Sequence, residues 1–358
     1  MSRLTRADLD ALPTYVPGRN VADLARELGI AEAIKLASNE VPYGPLPGVP
    51  EAVAAAMAQS HRYPDMGVLE LRDRLAARYG VSPDRIVTGC GSVALAEHLA
   101  KATCLPGDEI VYSWRSFEAY PIISAGVGAA GIRVPNTPEH GHDLRAMAEA
   151  ITDRTRLVFV CTPNNPTGTS IRKAELDRFL DAVPSDVLVV LDEAYREFVT
   201  DVEVPDGLAT YGDRPNVVVL RTLSKAWGLA GLRIGFLVAQ PEVAAAIRKV
   251  LTPFSTSVVA QAAALAALDA EKEVLRRCAL VISERERVTE ALRKLHPDVP
   301  TSQANFVWLP LGDQAAAFGA ACEKRGVIVR PFPGDGVRIT IGKPEENDAL
   351  LAAAEAAL

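Results

Sequence analysis

Short hydrophobic runs alternate with helically spaced apolar positions through the middle of the chain. Residues 86–88, 109–112, 157–161, 187–191, 217–220 and 234–238 read as strands, while 93–103, 143–150 and 173–182 read as helices. Strands separated by helices predict an α/β fold: a mainly parallel central sheet covered by helices on both faces. The last of these strands follows too short a connection for a crossover helix, so it either pairs antiparallel or lies elsewhere in the sheet. After Pro253 the pattern changes. An Ala-rich helical stretch, 258–268, leads into a long charged helix at about 272–295, then strands at 305–309, 327–330 and 337–341 and a helix at 345–358. A Pro/Gly-rich segment at 41–50 marks the other boundary. The expected organisation is an N-terminal arm with part of a small domain (1–45), a large domain (46–250) and a second, smaller α/β domain (251–358).

Composition narrows the function. The 358 residues are 49% hydrophobic, enough for two lobes, since single cores rarely grow beyond roughly 300 residues. A net charge of −7 leaves no basic stripe for a phosphate backbone, so no nucleic-acid partner is expected. Five scattered cysteines without Cys-x-x-Cys spacing fit reduced thiols in a cytoplasmic protein better than disulfides or zinc. His140 and His142, between Glu139 and Asp143, read as a solvated loop rather than metal ligands, so no metal is expected. No stretch approaches the roughly 20 apolar residues of a membrane span.

Four motifs fall just after predicted strands, where ligands gather in open α/β sheets. Gly89-Cys90-Gly91-Ser92 opens a helix, and its glycines, free amides and helix dipole suit a phosphate dianion. The same stretch matches Gly-x-Gly-x-x-Ala, but the next strand ends without a carboxylate for a ribose, which weakens a nicotinamide dinucleotide. Thr162 to Gly168 is a rigid turn able to orient the Asn165 amide, although Asn, Pro and Gly are also ordinary turn residues. Asp192, ending a hydrophobic strand, needs a cationic partner, and a protonated ring nitrogen would serve. No Walker loop precedes it, which sets a Mg²⁺-nucleotide hydrolase aside. Lys225, in Leu-Ser-Lys-Ala-Trp-Gly-Leu-Ala-Gly-Leu-Arg, can keep a reactive neutral fraction if desolvated near positive charge. The competing reading is a surface lysine in a loop.

Together these residues supply what pyridoxal 5′-phosphate requires, and the chain from about Tyr15 to Leu350 resembles a fold-type I pyridoxal-phosphate aminotransferase of the histidinol-phosphate group. Gly89 to Val93, Trp114 to Pro121 and Ser302 to Pro310 are most similar to the aromatic-amino-acid branch, and Val93 and Ala94 stand where histidinol-phosphate enzymes usually carry polar or acidic residues. The resemblance implies a Schiff base on Lys225, which also shuttles the proton; Asp192 on the ring nitrogen; Asn165 and Tyr195 on the ring hydroxyl; and Phe117 stacked on the ring. It implies Gly91, Ser92, Ser224 and Arg233 on the phosphate, with Tyr63, in His-Arg-Tyr-Pro-Asp, reaching the phosphate of a neighbouring subunit in a homodimer with shared active sites. Arg338 would grip the substrate carboxylate, and Tyr15, Asn39 and Arg330 would lie near the substrate side chain or its anionic group. The expected activity is ping-pong transamination of phenylalanine, tyrosine or tryptophan with a 2-oxo acid such as 2-oxoglutarate; the alternative donor is histidinol phosphate. Decarboxylation on the same scaffold and a non-catalytic sensor are the remaining readings.

Overall fold

The computed structural model describes residues 4, 5, 10, 12 and 19–358. Twelve strands in three sheets are seen among them: β1 (Ile34–Lys35), β2 (Ile86–Gly89), β3 (Glu109–Trp114), β4 (Ala130–Pro135), β5 (Thr155–Cys161), β6 (Leu188–Asp192), β7 (Val217–Thr222), β8 (Gly235–Val238), β9 (Phe306–Leu309), β10 (Val327–Ile328), β11 (Arg330–Phe332) and β12 (Gly336–Thr340). The central sheet runs β2-β8-β7-β6-β5-β3-β4. All its neighbours are parallel except those of β8, which is inserted antiparallel between β2 and β7. That resolves the strand whose place the connection length left open. The loop carrying Lys225 joins β7 to β8 directly, so β8 must return along its neighbour.

The continuous apolar character of β5, β6 and β7 has a physical cause. Val158, Phe159, Val189, Val190, Val218 and Leu220 are almost fully buried because helices cover both faces of the sheet. β4 is different. It is an edge strand with most of its residues exposed or half-buried, so it presents no hydrophobic run and escaped the pattern that reveals the other six. The Gly91–Thr103 helix packs Leu95, Ala96, Leu99 and Ala100 inward, an apolar stripe at helical spacing.

Two smaller sheets complete the architecture: β1 pairs with β10 in parallel, and β11-β12-β9 is antiparallel. The single strand expected at 327–330 is in fact two. β10 serves one sheet and β11 the other, with Val329 between them. The helix Val258–Asp269 is capped by the Ser257 hydroxyl, which accepts from the Ala260 amide, and the 25-residue helix Glu271–Leu295 follows it. Buried Arg285 on this long helix donates to the carbonyls of Phe198 and Ala304, at 2.8 and 3.1 Å, and so ties the two parts of the chain together.

His142 departs from the expected solvated loop. Its side chain is half-buried with Nε2 unpartnered, and burial pushes its pKa down to about 4. Among the described residues no cluster of His, Cys, Asp or Glu is arranged to hold a metal ion, and no helix is long and apolar enough to cross a membrane.

Candidate active site

β2, β5, β6 and β7 run in the same direction, so their carboxyl ends deliver the four motifs to one edge of the sheet. One cavity opens there. Its lining includes Asn39, Ser92, Phe117, Asn165, Asp192, Tyr195, Ser224, Lys225, Arg233, Arg330 and Arg338.

At the floor, strand alternation sends two adjacent acids to different fates. Glu193 is saturated: Arg221 donates to it at 2.7 and 3.1 Å, and the Gly207 amide at 2.7 Å. Asp192 lines the cavity. Its Oδ2 accepts from the Tyr120 hydroxyl at 2.7 Å, while Oδ1 is buried with no hydrogen-bond partner. Burial is the main cause that raises its pKa to about 6, and the Tyr120 hydrogen bond opposes the rise. Lys225 Nζ donates to the Ser38 carbonyl at 3.1 Å. Burial first, then the Arg338 charge, lower its pKa to about 8. Both groups therefore titrate closer to neutrality than their free forms.

One wall comes from the smaller sheets. Asn39 Nδ2 donates to the Tyr195 hydroxyl at 3.0 Å, which leaves the Tyr195 proton for another acceptor. Asn39 is fixed in turn by Thr340, whose hydroxyl accepts from the Asn39 amide at 2.9 Å, and by Asn305, whose Nδ2 donates to its carbonyl at 3.0 Å. Arg338, on β12, donates to Asn165 Oδ1 at 2.6 Å and to the Ala37 carbonyl at 2.5 Å. Asn165 thus accepts through its oxygen and keeps its Nδ2 group as a donor.

The opposite end is built to receive an anion. The Gly91–Thr103 helix begins without a side-chain cap, leaving first-turn amides unclaimed by any capping side chain. Gly91 has φ of 79°, and a methyl group there would collide with Arg233 Nη2. Arg233 itself occupies the left-handed region and donates to Ser224 Oγ at 3.3 Å and to the Ala230 carbonyl at 2.9 Å. Helix terminus, two serines and a guanidinium thus converge on one spot.

Of the expected residues that are described, Gly91 and Tyr63 are not part of this lining, although Gly91 abuts Arg233, which is. Tyr63 is 81% exposed and stacks on Phe254 with ring centroids 4.5 Å apart. Tyr15 lies outside the described residues. Conversely, Tyr120 and Glu118 were not singled out from the sequence, although both belong to the segment that follows β3. Tyr120 sits three positions beyond Phe117 and is stacked on Phe159 at 4.4 Å. The signal was the helical i, i+3 spacing of two aromatics beside a strand end.

The family model for aminotransferase class I and II matches residues 31–353. This chain belongs to the class I and II aminotransferases. An aromatic amino acid aminotransferase from Streptomyces coelicolor is 58% identical over 350 residues, spanning 98% of this chain and 96% of the relative. One from Rhodococcus jostii is 54% identical, spanning 98% and 95%. Among solved structures, histidinol-phosphate aminotransferase from Sinorhizobium meliloti in complex with pyridoxal 5′-phosphate superposes with a TM-score of 0.88 at 28% identity, covering all of this chain and 98% of that one. Aminotransferases act on small amino and oxo acids. The residues of this member fit pyridoxal phosphate on two independent counts: the orphaned Asp192 Oδ1 would accept from a protonated ring nitrogen, and the uncapped helix with Ser92, Ser224 and Arg233 would hold the phosphate.

Proposed function

We propose that this aminotransferase moves the amino group of an aromatic L-amino acid to a 2-oxo acid such as 2-oxoglutarate, by ping-pong transamination with pyridoxal 5′-phosphate. The observation that carries the reading is the pairing, in one cavity, of a buried acid with an unsatisfied oxygen and a lysine brought near neutrality, in a chain 58% identical to an aromatic amino acid aminotransferase. Bound pyridoxal phosphate supplies an aldehyde that condenses with amines and a protonated ring that takes up the electron pair left when the substrate Cα–H bond breaks. The chain does the rest. Lys225 Nζ would be the amine offered to the aldehyde and the base for the Cα proton, and burial lowers its pKa to about 8. Asp192, whose Oδ1 has no other partner, would hold the proton on the ring nitrogen, and that positive charge would favour the ionised acid against the burial that otherwise raises its pKa to about 6. Asn165 and Tyr195 donate to the ring hydroxyl, and Phe117 covers the ring face. Ser92, Ser224, Arg233 and the amides near Gly91 bind the phosphate. Arg338 forks onto the substrate carboxylate, Asn39 steadies Tyr195, and Arg330 marks the side-chain end.

The same reading makes the protein a cytoplasmic homodimer. Support comes from five free cysteines and from Tyr63, which with Met57, Met66 and Leu69 leaves large apolar side chains exposed. The division at residues 45 and 250 into arm, large and small domains belongs to the reading too.

Steady-state kinetics with phenylalanine and histidinol phosphate side by side test it. Phenylalanine is expected to give the higher kcat/KM, and borohydride followed by peptide mass spectrometry is expected to find the phosphopyridoxyl group on Lys225. A strong preference for the phosphorylated donor would reverse the choice of substrate.

A further inference from the structure

The outer end of the cavity contains an ion pair whose acid, Glu118, has no role in the reading above. Arg330 lines the cavity, and its Nη2 lies 3.0 and 3.4 Å from the two carboxylate oxygens of Glu118. Glu118 follows Phe117 directly at the start of the Ala119–Gly126 helix, so one acid from the central-sheet side reaches across to an arginine of the small sheet. Arg330 on β11 sits directly opposite Arg338 on β12, and both guanidinium groups lie over the Phe332 ring, at 5.4 and 5.8 Å. Two cationic forks therefore stand one cross-strand step apart along a single cavity wall. Arg338 donates to an amide oxygen and a backbone carbonyl, whereas Arg330 holds a carboxylate. Nearby, Arg115, also over Phe332, is paired with Asp335 at 2.6 Å, so the neighbouring charges balance each other.

A ping-pong enzyme with an aromatic donor and a dicarboxylic acceptor must admit, in turn, an apolar and an anionic side chain to the same space. Resting on that reading, we propose that Glu118 is a specificity-determining residue that stands in for a substrate's distal carboxylate. While an aromatic side chain is bound, Glu118 keeps Arg330 paired, so no lone guanidinium has to be desolvated against a ring. When a dicarboxylate enters, its distal carboxylate takes the place of Glu118 on Arg330. One carboxylate is exchanged for another and no charge is left uncompensated. The partly shielded setting, with side-chain exposures of 14% for Arg330 and 29% for Glu118, lets the released acid turn to water.

Equilibrium titration of the holoenzyme with two unreactive acids, 3-phenylpropanoate and glutarate, tests this without turnover. Glu118→Gln removes the stand-in charge, and the affinity ratio is expected to move about tenfold or more toward glutarate. Arg330→Met is expected to move it the opposite way while 3-phenylpropanoate still binds. Parallel changes for both acids in Glu118→Gln, or an unchanged ratio in Arg330→Met, would overturn the proposal. Because the ratio is read from binding, a failure of the wild-type protein to transaminate phenylalanine would count against the substrate assignment and leave the role of Glu118 to be judged on its own result.

Discussion

At the inner end of the cavity, Asp192 and Lys225 have a tyrosine hydroxyl and a backbone carbonyl as hydrogen-bond partners, and their pKa values are drawn to about 6 and about 8. At the outer end, Arg330 holds the carboxylate of Glu118 at 3.0 Å, and beside it, outside the lining, Arg115 holds Asp335 at 2.6 Å. The same low-dielectric cleft thus treats charge in two ways. Where protons must move, the fold withholds a counter-ion, and burial sets the ionisable group close to working pH. Where charge is only read, the fold supplies a partner, and selectivity comes from exchanging it. Glu193 makes the contrast sharper. It neighbours Asp192 in sequence and is just as buried, yet Arg221 and a backbone amide satisfy it, so it serves the framework under the site.

The largest effect is expected from removing the inner amine. Lys225→Ala should lower kcat by about a thousandfold or more in steady-state assays with phenylalanine, because nucleophile and base are lost together. The fold should persist, since a half-buried lysine leaves no large core cavity, and the melting temperature is expected to stay within about 4 °C of wild type by calorimetry. An inactive protein that had also lost its thermal transition would place Lys225 in the framework rather than in the chemistry.

This inner half was the part most legible in the sequence. Asp192, Asn165 and Lys225 each end or follow an apolar run buried on both faces, so hydrophobic pattern and strand-end position point to the same edge of the sheet. The outer half was not legible that way. Asn39 lies in a loop far from the other two in sequence, and Arg330 and Arg338 sit on the short hairpin strands β11 and β12, whose packing against the central sheet is tertiary and leaves no pattern in the chain. They were found through family resemblance alone, and Glu118 was missed because an ion pair 212 residues apart leaves no local trace. β4 was missed for another reason: an edge strand is not obliged to be apolar. The split of 327–330 into β10 and β11 was hidden because a continuous β-prone run does not say which sheet each residue joins.

Arg338 lies between the two halves and tests whether they are separable. Arg338→Met should raise KM for phenylalanine by about thirtyfold or more, the usual cost of deleting one side of a buried charged contact, with a smaller fall in kcat. It also removes a positive charge that lowers the Lys225 pKa, so the Lys225 amine of the variant should titrate at higher pH than about 8, measurable from the pH dependence of labelling by an amine-reactive reagent in cofactor-free protein. A large loss of kcat at unchanged KM would mean that Arg338 acts on the inner chemistry and that the division is wrong.

The smallest expected effect, and the finest test of the inner half, concerns Tyr120. Its hydroxyl donates to Asp192 Oδ2 and favours the ionised acid, while burial pushes the other way. In cofactor-free protein the folded-state pKa of Asp192, about 6 against an unfolded value of 3.8, means that the folded chain binds the proton more tightly. The stabilisation this provides is fully present below pH 3.8 and is lost as pH rises through about 6. Tyr120→Phe removes the donor that the carboxylate needs and should therefore raise the Asp192 pKa further and carry the loss to higher pH. Measured by urea unfolding, the variant should be destabilised more at pH 7 than at pH 4, by up to about 1.5–3 kcal/mol, the scale of one hydrogen bond to a charged group. If the two pH values gave equal destabilisation, Tyr120 would contribute packing against Phe159 and nothing to the charge state of Asp192. The withheld counter-ion would then be a consequence of burial alone, not of a donor placed to moderate it.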